Sequence, residues 1–124
     1  MLYWLPVLVW GLVIFSFSAH SNITVSTAKI TDFVAKKAAH FSEYFILSAL
    51  IYRALHATSK IHGKYLLLVT LTLTVLYAIT DEFHQSFTPG RSPRIQDVII
   101  DSGGAFVALV FFTKWLKGRK LHFR

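Results

Sequence analysis

Residues 2–19 carry no charged side chain. At 1.5 Å per residue such a run just crosses the ~30 Å hydrocarbon core of a bilayer, and no other feature limits so strongly what this chain can become. A second apolar run, 65–80, is rich in Leu, Val and Thr. Another, 38–52, is interrupted by His40 and Glu43, so hydropathy alone scores it as weak. Hydrophobic residues make up 54% of the 124 positions, charged residues only 15%, and the mean hydropathy is +0.52. A soluble domain is roughly a quarter charged, so the shortage of charge, more than the apolar excess, points to a membrane protein. The net charge of +7 would suggest nucleic acid if the bases formed one face of a soluble fold, but they lie between and after the apolar runs. There is no cysteine, which removes disulfides, thiolate nucleophiles, iron–sulfur clusters and zinc–thiolate sites. Any metal would need His, Asp and Glu. Too little chain remains outside the apolar runs for a separate soluble catalytic domain.

The expected fold is an all-α membrane protein, a single domain over residues 1–124 built as a bundle of four transmembrane helices with a polar outward-facing pocket. The spans are placed at about 2–19, 34–55, 65–82 and 94–115. The basic start of a signal peptide is missing from Met1-Leu2-Tyr3-Trp4, so the first run is expected to stay as a span. Thr31-Asp32 reads as an N-cap and first-turn acid for the second helix. Pro89-Gly90 reads as a turn, and Ser92-Pro93 as the cap and first position of the fourth helix, which continues to about Trp115. Arg53, Lys60, Lys64, Lys114, Lys117, Arg119, Lys120 and Arg124 fall on one side of such a bundle, and Lys29, Lys36, Lys37, Arg91 and Arg94 on the other. The positive-inside rule then puts both termini in the cytoplasm. All the acids, Asp32, Glu43, Asp81, Glu82, Asp97 and Asp101, fall at or near the opposite, outer ends of the helices.

His40, Glu43 and Tyr44 are spaced to share one face of the second helix. Asp97 and Asp101 share a face of the fourth, and Gly104, Ala105 and Ala108 continue that stripe with residues small enough for close helix packing. Asp81, Glu82, His84 and Gln85 close the third helix and begin the loop. An ionised side chain at the bilayer centre costs roughly 2.5–3.5 kcal/mol on insertion scales, so these groups are expected to be paired or functional and to meet in one place. Structural roles stand beside this. His40 fits an interfacial core histidine, Glu43 a salt bridge to Arg91 or Arg94, and Asp97 the positive end of the fourth helix. Arg91 fits either a salt bridge to Glu43 or Asp81 or, in its turn before a helix N-terminus, an anion contact. His40 with Glu43, and Asp97 with Asp101, also offer metal-ligand spacing, and the same acids with His40 or His84 could share a proton in acid–base work. Acids lining an ion pathway are a third alternative. His56 and His62 read as connector residues, and the aromatic side chains as packing or interfacial anchors.

Three ordered blocks carry a resemblance: 36–44 (KKAAHFSEY), 81–92 (DEFHQSFTPGRS) and 97–104 (DVIIDSGG). They resemble the signature blocks of the VanZ-like family over about residues 36–110, and the first span fits that family's layout without a motif. The family pattern takes Asn or Asp where Asp101 stands. The resemblance implies a small bacterial multipass membrane protein of a family associated with low-level resistance to the glycopeptide teicoplanin. Carried over as functional positions are His40, Glu43, Tyr44, Asp81, Glu82, Gln85, Arg91, Asp97 and Asp101. The expected function is binding of a cell-envelope ligand at the bacterial inner membrane, a glycopeptide or lipoglycopeptide antibiotic or the lipid-linked cell-wall precursor such drugs recognise. A membrane-embedded, metal-assisted hydrolase or transferase is the alternative. The expected partners are the bilayer and that ligand, without nucleic acid, and no cofactor or metal is assigned.

Overall fold

A computed structural model describes residues 1–19, 29–88 and 94–122. They form four helices and no strand: α1 (Leu5–Ala19), α2 (Lys29–Thr58), α3 (Gly63–Gln85) and α4 (Ile95–His122). Pro6 lies in the first turn of α1, where its missing N–H would have had no helical partner. Gly63 opens α3 at φ +60°, a backbone conformation that costs a side chain about 1–2 kcal/mol and that lets the short 59–62 connector reverse the chain. Segments 63–85 and 95–119 are long and apolar enough to cross a membrane, and the apolar part of α1 is shorter.

Three helix ends differ from expectation. Thr31-Asp32 does not cap α2: the helix already runs from Lys29, so Thr31 lies within its first turn. Lys29-Ile30 contains no helix breaker, and a cap worth about 1 kcal/mol is easily outweighed by continued backbone hydrogen bonding. Asp81 and Glu82 close the third helix as expected, but α3 continues about three residues past the expected span, through His84 and Gln85, with Ser86 N–H donating back to Glu82 O at 3.1 Å. α4 passes Trp115 and carries Lys114, Lys117 and Arg119 on helical backbone. The turn read at Pro89-Gly90 and the Ser92-Pro93 cap lie outside the described residues.

The helices alternate in direction. α2 and α3 form a central pair, with α1 against one side and α4 against the other; α4 packs most broadly on α2, and among the described residues α1 does not reach α4. Ile14, Tyr44, Leu47, Ile51, Leu55, Leu66 and Ala78 make the buried apolar cluster. Polar side chains share the interior with them and with Ala54, Ala105, Ala108 and Leu109: Ser18, Ser48, Thr70, Thr74, Asp81, Glu82, Gln85 and Asp101 are buried, whereas Leu8, Leu12, Leu68, Leu76, Phe106 and Phe111 face outward. A water-soluble helix bundle shows the reverse pattern, and a bundle covered by lipid shows this one. Thr70 and Thr74 satisfy their hydroxyls on the carbonyls of Leu66 and Thr70, at 2.7 and 2.8 Å, so they can sit among apolar neighbours. α1 is pinned at three levels: Trp4 Nε1 donates to Thr58 Oγ1 (3.1 Å), Trp10 Nε1 to Glu43 O (2.9 Å), and Tyr77 OH to Gly11 O (2.5 Å). On the other side Ser48 Oγ donates to Ala105 O at 3.3 Å, where α2 and α4 come close across Gly104, Ala105 and Ala108.

Candidate functional site

The end of the bundle where α1 and α3 finish and α4 begins gathers polar side chains from all four helices. Asp81, near the end of α3, is 4% exposed. Its Oδ2 accepts from Ser18 Oγ (2.8 Å), Tyr44 OH (3.1 Å) and Gln85 Nε2 (3.2 Å), which ties α1, α2 and α3 to one oxygen. The helical repeat explains the convergence: Gln85 is one turn beyond Asp81, and Tyr44 lies on the α2 face that also buries Leu47 and Ser48. The other oxygen, Oδ1, is buried without a hydrogen-bond partner among the described residues. Glu82, on the adjacent face, accepts the backbone N–H of Arg94 at 2.8 Å and so fastens the end of α3 to the start of α4.

A second group lies between α2 and α4. His40 Nδ1 is 3.6 Å from Asp101 Oδ1 and 3.9 Å from Glu43 Oε2, beyond good hydrogen-bond length but close enough for strong attraction once the imidazole is protonated. Asp101 is 2% exposed, whereas His40 and Glu43 are half-buried. Nearer the end of the bundle Lys37 forms an ion pair with Asp97, which lies in the first turn of α4 and so also suits the helix dipole. His84 stacks on Phe15, with ring centroids 4.0 Å apart.

His40, Glu43, Tyr44, Asp81, Glu82, Gln85, Asp97 and Asp101 therefore fall at one end of the bundle, in two adjoining groups. Arg91 lies outside the described residues. Glu43 faces His40, and the Arg94 side chain is exposed. Among the described residues no three His, Asp or Glu side chains form a group that could hold a metal ion. Two contributors were not anticipated. Ser18 comes from a helix that is apolar all round, so its facing had no periodic signal. Lys37 stands three residues before His40, a spacing that places it on the same face of α2.

The profile of the VanZ/LLP1 family matches residues 3–117, nearly the whole chain, so the first helix belongs to the matched unit along with the polar blocks. No curated protein and no solved structure matches. Together with two helices apolar enough to cross a bilayer, the match indicates a membrane protein. The chain belongs to the VanZ/LLP1 family.

Proposed function

We propose that the chain crosses the bacterial inner membrane four times with both termini in the cytoplasm. Its polar cluster then lies at the outer surface and binds a cell-envelope ligand, a glycopeptide or lipoglycopeptide or the lipid-linked precursor such drugs recognise, and so contributes to resistance. The observation that carries the binding reading is Asp81: one oxygen is held by three donors from three helices, while the second, equally buried, has no partner among the described residues. Helix docking needs only the first oxygen. Holding an acid in an apolar bundle with unspent acceptor capacity is costly unless something else uses it. Arg91, outside the described residues, is the candidate to meet an anionic group of the same ligand. The N–H of Arg94 is already taken by Glu82, so the helix end itself contributes less.

Replacing Glu43 or Asp81 by Ala, at matched membrane abundance, is expected to abolish glycopeptide tolerance, measured as the inhibitory concentration in a susceptible host. Tolerance that survives both changes would exclude a resistance role for this site. The orientation has its own check. A reporter fused after residue 124 should be active only in the cytoplasm; periplasmic or extracellular activity would place the acidic cluster on the wrong side.

A membrane-embedded hydrolase or transferase is favoured by a separate observation, the position of His40 Nδ1 between Asp101 and Glu43. An imidazole between two carboxylates is suited to taking up and releasing a proton. Turnover of a lipid-linked substrate by purified protein, lost in His40→Ala, distinguishes it from stoichiometric binding.

A further inference from the structure

A groove of about 290 Å³ runs between α3 and α4, lined by Lys64, Leu67, Leu71, Phe106, Val110 and Thr113 among others. Its walls are apolar apart from two side chains. Thr113 Oγ1 is already satisfied by the Leu109 and Val110 carbonyls, at 3.0 and 2.9 Å, and Lys64, the one charged group of the lining, is exposed. From Lys64 to Leu71 the groove follows about 10 Å of helix, roughly a third of the bilayer core. On α4 the stripe Phe106, Val110, Thr113 has Lys117 as its next member. Since α3 and α4 run in opposite directions, Lys64 and Lys117 belong to the same end of the groove. Tyr65 and Trp115 are exposed at that level, the position of aromatic side chains at a head-group interface. This end of the bundle is also basic without compensation. Arg53, Lys60, Lys64, Lys114, Lys117 and Arg119 lie here, and His56 and His62 add only positive charge when protonated. Every acid of the sequence falls in the opposite half of its helix: Asp81 is 17 residues from Lys64 and Asp101 is 16 from Lys117, about 25 Å along each axis.

We propose that this groove seats one acyl chain of an anionic phospholipid, phosphatidylglycerol being the simplest, with its phosphate held between Lys64 and Lys117. The inference rests on the membrane placement proposed above, and it concerns the end of the bundle opposite the envelope-ligand cluster. The lining selects hydrocarbon, because it offers no unsatisfied polar atom below Lys64. Charge selects the head group. A zwitterionic lipid would bring a further cation to an end that has no acid, whereas an anionic one neutralises it through charge-assisted hydrogen bonds. The same charge opposes a second copy: a two-fold contact through this face would set Lys64 and Lys117 against their own duplicates. With both termini in the cytoplasm the lipid belongs to the inner leaflet, whose surface is negative.

The test uses the full chain in detergent, with native mass spectrometry counting bound lipids as phosphatidylglycerol or phosphatidylcholine of the same acyl chains is added. One phosphatidylglycerol is expected to bind about thirtyfold more tightly than phosphatidylcholine, the scale of two lysines at an anionic head group. Lys64→Gln with Lys117→Gln should bring the two lipids to parity. Arg53→Gln with Arg119→Gln removes the same charge away from the groove, since these guanidiniums lie over the Tyr3 and Trp115 rings, and should leave most of the preference. Val110→Trp fills the groove, keeps every base and should remove the tight site. Equal binding of the two lipids by the unsubstituted chain, a preference lost equally in both charge pairs, or tight binding that survives Val110→Trp would overturn the proposal. So would a dimer that takes up no lipid, which would assign the groove to a second copy. Release of the chain from membranes without detergent would undo the membrane placement and this inference with it, whereas a chain that needs detergent and shows no preference fails this inference alone.

Discussion

Gly104→Ala is expected to destabilise the protein by about 2–3 kcal/mol and to disable the site with it, because a methyl group there has nowhere to go. It would overlap the Phe41 carbonyl oxygen, with the carbonyl carbon and Cα of Phe41 at 3.2 and 3.4 Å. These are backbone atoms of a helix, so they cannot swing aside as the tip of a side chain could. The strain must push α4 away from α2. Phe41 adjoins His40, and Gly104 is three residues from Asp101, so the displacement opens the pair that holds the second polar group together. Gly103→Ala is the control. Its added methyl would meet only Phe41 Cε2 at 3.8 Å, an ordinary contact, and both stability and tolerance should stay within about 0.5 kcal/mol and measurement error of the parent. Denaturant titration of both variants in the same detergent checks the pair. Equal stability would mean that the helices do not approach as closely as described.

Asp81→Ala is expected to cost about 2 kcal/mol, three interhelical or intrahelical hydrogen bonds at about 0.6 kcal/mol each, a scale measured for buried hydrogen bonds in a membrane bundle. The side chains left behind make the effect specific: Ser18, Tyr44 and Gln85 lose their common acceptor, and Tyr44 is wholly buried. Asp81→Asn keeps one acceptor oxygen and should recover more than half of that stability, yet it removes the carboxylate that the proposed ligand binding uses. Loss of binding with stability retained in Asp81→Asn separates the functional from the structural role of the carboxylate. If the two variants were equally stable and equally competent, Asp81 would be no more than an interior polar group.

Much of this arrangement is legible in the chain, and the parts that are not have physical reasons. The uncharged run of α1 and the apolar run of α3 announce helices through length and composition alone, and α4 through the Ser92-Pro93 signal that precedes it. α2 is hidden from hydropathy by the side chains that matter most, since Lys37, His40 and Glu43 lower its score while lying on one face of it. The spacing of His40, Glu43 and Tyr44, and of Asp97 and Asp101, identified the faces that meet. It did not reveal that Asp81 and His40 centre two separate groups, because spacing orders residues along a helix and says nothing of the rotation between helices. Ser18 was invisible for a related reason: a helix apolar on every side has no periodic marker to show which way a serine points. The Glu82 carboxylate, grouped with Asp81 at the end of the third helix by sequence, fastens α4 through a backbone N–H, a partner that side-chain patterns do not encode.

The central claim is that α1, α2 and α3 meet at one carboxylate oxygen, and double-mutant cycles test it most directly. Unfolding free energies would be measured for Ser18→Ala, Tyr44→Phe and Asp81→Ala, singly and in the two pairs containing Asp81. Each pair should show a coupling of about 0.6 kcal/mol or more, since losing either partner already breaks the bond. Strict additivity in both cycles, with all variants folded, would contradict the account.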